Sequence, residues 1–132
     1  MDKKTQTELQ ILGTDALTIW WNKIVDMYGL IIKSQPTVVI NNRFKTTGGV
    51  CKADIRVIEL SAEMFYYNQA EYVKVIIPHE AAHLADWDIN DKIGHGPTWK
   101  EIMVNLGLEP SRFHNLHNPL QTMRKAAIAK RR

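Results

Sequence analysis

The stretch IIPHEAAHLADWD, Ile76 to Asp88, places two histidines four residues apart, with a glutamate directly after the first and a proline directly before it. On an α-helix, residues four apart differ by about 40° around the axis. His79 and His83 then share one side, one turn apart, and two imidazoles can reach one ion. Zinc suits such a pair, because neutral imidazole nitrogen is among its preferred ligands. Glu80 lies about 100° from His79 and 60° from His83 by the same arithmetic. That offset disfavours ligation but sets a carboxylate beside the metal, where it can act as a general base on water. Val73, Ile77, Ala81 and Leu84 fall together on the side away from the histidines, so the helix is expected to pack on one face and carry chemistry on the other. Pro78 either bends this helix or starts it as a new segment, with residues 74–77 as a preceding turn.

A catalytic zinc takes three protein ligands and keeps one position open. His95, in the glycine-flanked loop IGHGPTW, is the foremost candidate for the third. Asp86, Asp88, Asp91, His114 and His117 are alternatives on spacing alone.

Upstream, the pattern predicts a helix over residues 5–28. Its apolar stripe would be Leu9, Leu12, Ala16, Ile19, Trp20, Ile24 and Met27, with Gly29 as the stop. QPTVVINNRF suggests a strand over residues 37–40. KTTGGVCKAD reads as a glycine-rich loop or bulge leading into a second strand, and IRVIELS as a third over residues 55–60. AEMFYYNQ is a short helix or turn, and the helix with the two histidines spans about residues 70–87. TWKEIMVNLG closes the pattern as a helix, with Thr98 as the expected N-cap and Gly107 at its end. The order helix, strands, helices gives an α+β domain.

With 132 residues the chain fits one domain with a single core. Cys51 is the only cysteine, which excludes an intrachain disulfide and a four-cysteine zinc ribbon within the sequence. The first residues, MDKKTQTELQ, hold no apolar segment of a secretory signal, so the expected compartment is the cytoplasm, of a cell or of an infected host. The net charge of +3 is unevenly placed: Arg124, Lys125, Lys130, Arg131 and Arg132 lie in the last nine residues, and without those five charges the remainder stands at −2. Such a tail can track a phosphate backbone, or serve only as a solvated terminus.

IIPHEAAHLADW followed by GHGPTWKEIMVNLGLEPSRFH resembles the SprT-like zinc metallopeptidases. The pattern is His-Glu-x-x-His, a spacer, His-Gly with an aromatic residue soon after, and a short helix ending at Leu-Gly. GGVCKADIRVIELSAEMF resembles the glycine-rich hairpin and strand of that family, so the likeness covers about residues 48–114. It implies a zincin-like α+β fold of an N-terminal helix, a small three-stranded sheet, the His-Glu-x-x-His helix and a following short helix. Residues 1–120 would form the metallopeptidase domain and residues 121–132 a basic tail. It further implies His79, His83 and His95 as zinc ligands and Glu80 as the catalytic acid–base residue. Trp99 would pack the last helix. The substrates implied are proteins bound or crosslinked to DNA, with DNA as a partner. The cysteine-rich zinc ribbon of many members has no counterpart in this sequence, so any DNA contact would fall to the basic tail. Two other readings are a non-catalytic, zinc-stabilised module that binds nucleic acid or protein, and a narrow processing peptidase of viral or mobile-element origin.

Overall fold

The computed structural model describes residues 1–111. The basic tail, His114 and His117 lie outside the described residues. The chain opens with helix α1, Lys3–Tyr28, whose N-cap Asp2 accepts a hydrogen bond from the Thr5 amide. Gly29 ends it at φ 71°, a left-handed-side conformation that favours glycine. The buried face of α1 is Leu9, Gly13, Ala16, Leu17, Trp21 and Ile24. This corrects the expected stripe: Ile19 and Met27 are exposed, and Leu17 and Trp21 take their places in the core. Either row satisfies helical spacing, and the choice falls to the partner surface. Gly13 shows that surface, since a Cβ there would stand 3.3 Å from both Phe65 and Val38.

Three strands follow: β1 (Thr37–Asn41), β2 (Gly49–Lys52) and β3 (Val57–Ser61). They form one sheet in the order β1-β3-β2, with β1 parallel and β2 antiparallel to β3. The third strand starts later than expected, because residues 53–55 form a 3-10 turn and Arg56 takes a left-handed conformation at φ 53°. The Arg56 guanidinium reaches Asp88, with Nη1 2.7 Å from Oδ1 and Nη2 3.0 Å from Oδ2. Asp88 also accepts the Lys33 amide at 2.9 Å. These bonds tie the end of the histidine-bearing helix to the sheet, and they remove Asp88 from the possible metal ligands.

Helix α2 (Ala62–Tyr67) is capped by the Ser61 hydroxyl, and a turn, α3 (Gln69–Glu71), leads into a π-helical stretch over Tyr72–Ile76. Helix α4 (Ile77–Asn90) continues from it, with Pro78 in its first turn. The proline explains the change of pitch. The Ile77 amide bonds to the Tyr72 carbonyl five residues back, and Pro78 has no N–H to offer Val73. The indole of Trp20 on α1 supplies the missing donor to the Val73 carbonyl at 2.8 Å. Pro78 thus sits in the first turn of α4 as expected, but residues 74–77 form no separate turn, because the run stays helical and only its pitch changes. Helix α5 (Pro97–Asn105) begins two residues earlier than Thr98 suggests: Gly96 is its N-cap, Pro97 its first residue, and Gly107 lies just beyond its end at φ 79°.

The core gathers Leu17, Ile24, Ile58, Leu60, Phe65, Ile77, Leu84, Trp99 and Ile102, and so joins α1, the sheet, α4 and α5. Helix α4 runs through its middle. Every residue from Ile77 to Asp86 is buried, so the expected division into a packed face and an open one gives way to a helix enclosed on all sides. No helix among the described residues is long and apolar enough to cross a membrane.

Candidate metal centre

Three imidazoles converge where α4 meets the loop before α5. His83 Nε2 is 3.2 Å from His79 Nε2, and His95 Nε2 is 3.3 Å from the same atom. The candidate ligand atoms of all three lie within 4.8 Å of one another. His79 and His83 come together because four residues make about one helical turn. His95 returns to them because α4 stops at Asp91, which adopts a left-handed conformation at φ 56°, and Pro97 then starts α5. His79 and His83 are buried, and His95 is half-buried.

This arrangement fits a cation better than a hydrogen bond. A single ring hydrogen on His79 Nε2 can serve only one of the two nitrogens that face it. A divalent ion can accept the lone pairs of all three. Four ligands set tetrahedrally at about 2.0–2.1 Å from zinc have nitrogens about 3.3–3.4 Å apart, close to the two separations found here. Burial and the neighbouring His95 push His83 down to about 4, so its ring is neutral at pH 7 and ready to ligate. The three nitrogens are compatible with a metal ion of imidazole preference.

Glu80 is buried beside the group, its Oε1 4.0 Å from His79 Nε2. Desolvation raises its carboxyl to about 7, while the backbone N–H of Cys51 on β2 donates to it and opposes the rise. The contact with β2 is close: a Cβ on Gly49 would lie 3.5 Å from Glu80 Cγ and 3.3 Å from Leu60 Cδ2. The tighter of the two is with Leu60 on β3, and the distance to Glu80 is ordinary van der Waals contact.

Trp99 does more than pack the last helix. It is fully buried, and its ring lies 4.8 Å from His79, 5.3 Å from His83 and 4.5 Å from His95, centroid to centroid. It stacks on His83 with a 19° interplanar angle and meets His95 at 90°. Its indole N–H donates to the His79 carbonyl at 3.3 Å. One side chain therefore touches all three imidazoles and fixes the backbone of one. The sequence signal for this was the aromatic residue four positions after His95. Sequence reasoning read Gly49 only as part of a glycine-rich loop or bulge before the second strand and missed the Cys51 amide, because no local pattern announces a contact about 30 residues away along the chain.

The remaining alternatives for a third ligand go elsewhere. Asp86 is buried and accepts from Asn90 at 3.0 Å, and Asp91 serves as the helix C-cap. Among the described residues the group that could hold a metal ion is His79, His83 and His95.

The SprT-like family model matches residues 17–118. Protein SprT of Klebsiella pneumoniae strain 342 is 34% identical over 83 residues, which cover 61% of this chain and 49% of that protein. Protein SprT of Escherichia coli strain K12 is 30% identical over 82 residues, covering 61% of this chain and 48% of its own length. The chain spans about half the length of the curated relatives it matches. No solved structure matches it.

Proposed function

The chain belongs to the SprT-like family, and from that premise we propose that it is a zinc-dependent peptidase. The observation that carries this reading is the meeting of three imidazole nitrogens with a buried carboxylate 4.0 Å from one of them. His79, His83 and His95 would hold the metal, and among the described residues no fourth side chain closes the group. Zinc bound there would lower the pKa of a water toward about 7 and polarise a substrate carbonyl. Glu80 would accept the proton of the attacking water and pass it to the leaving amine. Its raised carboxyl suits both directions of that transfer, since a base works best near the operating pH. The Cys51 amide keeps one oxygen of the carboxylate oriented while it does so.

The neighbouring strand supports a polypeptide as the substrate. The Ser61 amide donates to the Gly48 carbonyl at 3.0 Å, so antiparallel alternation turns the backbone groups of Gly49 and Cys51 away from β3. That outward edge lies beside Glu80, and an extended peptide is the ligand a strand edge can pair with. A non-catalytic module gives no reason for a buried carboxylate at this position, because burying it costs free energy that a structural zinc would not require.

Family resemblance extends the substrate to proteins bound or crosslinked to DNA, with the basic residues Arg124, Lys125, Lys130, Arg131 and Arg132 as the DNA contact. The test is digestion of a DNA-binding protein by the zinc-loaded chain, with and without single-stranded DNA. The expected result is faster cleavage with DNA. Deletion of residues 121–132 should remove the acceleration and flatten the salt dependence of DNA binding, by up to about 3.5 in log–log slope for five phosphate contacts. An unchanged slope and rate after the deletion would exclude the tail as the contact.

A further inference from the structure

Glu80 is not the only residue of its helical run that grips β2. Eight positions earlier, Tyr72 is fully buried, and its hydroxyl donates to the Gly48 carbonyl at 2.7 Å. The same carbonyl accepts the Ser61 amide from β3 at 3.0 Å. Gly48 immediately precedes β2, and Cys51, whose amide holds Glu80, is three residues on. One continuous helical run therefore touches one short strand at two points, through Tyr72 at its start and Glu80 near the site.

The π-helical stretch makes this possible. Eight steps of a regular α-helix advance by about 800°, which would set Tyr72 and Glu80 about 80° apart. A π turn accommodates one extra residue, so the two are phased as if seven steps apart, within about 20° of one face. Both then look toward β2. The Tyr72 ring is itself fixed, stacked on Phe65 at 4.8 Å with an interplanar angle of 6°. Burial, and secondarily the Glu80 carboxylate, hold its phenol well above the usual range, so the hydroxyl remains a donor. β2 has four residues and is paired only with β3 in the sheet, so its other side is held by what reaches it from the helical run.

We propose that Tyr72 is a positioning residue for peptide hydrolysis: its hydroxyl latches Gly48, and the latched strand keeps the Cys51 amide on the Glu80 carboxylate. The inference rests on the reading of Glu80 as the general base. Tyr72 touches neither substrate nor metal, and its effect runs entirely through the strand.

The test compares wild type with Tyr72→Phe, which keeps the ring and its stack on Phe65. Two measurements are made: steady-state hydrolysis by the zinc-loaded proteins, and amide hydrogen exchange at Cys51 in the folded proteins. The expected result is a fall in kcat of about tenfold or more with KM within about twofold, equal zinc content, and at least tenfold faster exchange at Cys51. A Gly49→Ala protein, whose added Cβ would stand 3.3 Å from Leu60 Cδ2 and so crowd the same strand from β3 with Tyr72 intact, should show the same kcat loss. Unchanged Cys51 exchange in Tyr72→Phe overturns the latch, whatever the activity. Faster exchange with unchanged kcat overturns the link to catalysis. If the wild-type protein hydrolyses nothing, the peptidase reading has failed, while the exchange measurement still decides whether the latch exists. Should Tyr72→Phe not fold, Gly49→Ala carries both measurements, and faster Cys51 exchange there with unchanged kcat overturns the link between the strand's position and catalysis.

Discussion

Zinc-loaded Glu80→Gln is expected to retain its metal and to lose peptide hydrolysis by about 10²–10⁴-fold, the range that a positioned general acid–base supplies. Glutamine fills the same volume and can still accept the Cys51 amide, so the fold around it should persist. What it cannot do is take a proton. The three imidazoles are untouched, and zinc stoichiometry should remain at the wild-type value. A metal-loaded Glu80→Gln protein with wild-type turnover would remove Glu80 from the chemistry. The same substitution has a signature in stability without metal. The unfolded chain releases the Glu80 proton near the ordinary value of 4.5, whereas burial in the folded chain holds it up to about 7. Between these values the unfolded chain binds fewer protons, so metal-free stability falls as the pH rises through this window and levels off above it. Glu80→Gln escapes that loss. At pH 8 the metal-free variant should be more stable than metal-free wild type by up to about 3 kcal/mol, and near pH 4 the difference should vanish. Denaturant titrations at the two pH values measure it.

Trp99→Ala should destabilise the metal-free protein by about 3–5 kcal/mol, as removal of a large buried aromatic does. Trp99 is fully buried and sits against His79, His83 and His95 together. Its loss therefore opens a cavity beneath the site and frees three rings to reorient. Zinc affinity should fall by tenfold or more, the lower end of what support of ligands by their neighbours contributes. Trp99→Phe keeps an aromatic plane under the rings but not the indole bond to the His79 carbonyl. That bond contributes about 0.5–1.5 kcal/mol, so the phenylalanine variant should be clearly milder. Lower stability with equal zinc affinity would show that Trp99 only fills space, and equal stability of the alanine variant and wild type would contradict its place in the core. Denaturation and competition with a chromogenic chelator read the two quantities.

The candidate metal centre was legible in the sequence to the extent that its geometry is local. Two histidines four apart need only a helix to meet, and α4 provides it. The return of His95 could be anticipated because Gly94, Gly96 and Pro97 mark a tight reversal. Contacts made across the fold were not legible in the same way. The Cys51 amide meets Glu80 only because β2 pairs with β3, and Trp20 answers Val73 across 53 residues of chain. Asp88 fits a ligand spacing as well as His95 does, yet its place is decided by Arg56, which no short-range pattern connects to it. The stripe of α1 was misphased for a related reason: Ile19 and Leu17 are equally apolar, and only the approach of Val38 and Phe65 at Gly13 selects between them. Pro78 carried a true signal, that the helix changes character there, but not its form as a π-helical stretch.

The central claim, that this chain hydrolyses peptide bonds with a metal held by three histidines, meets its most direct test in one assay. An unstructured polypeptide is incubated with the zinc-loaded protein, with the protein after chelation, and with the chelated protein after one equivalent of zinc is returned. The proposed function predicts cleavage in the first, none in the second, and recovery in the third. Cleavage that survives chelation, or its absence from a protein carrying one zinc per chain, would contradict it.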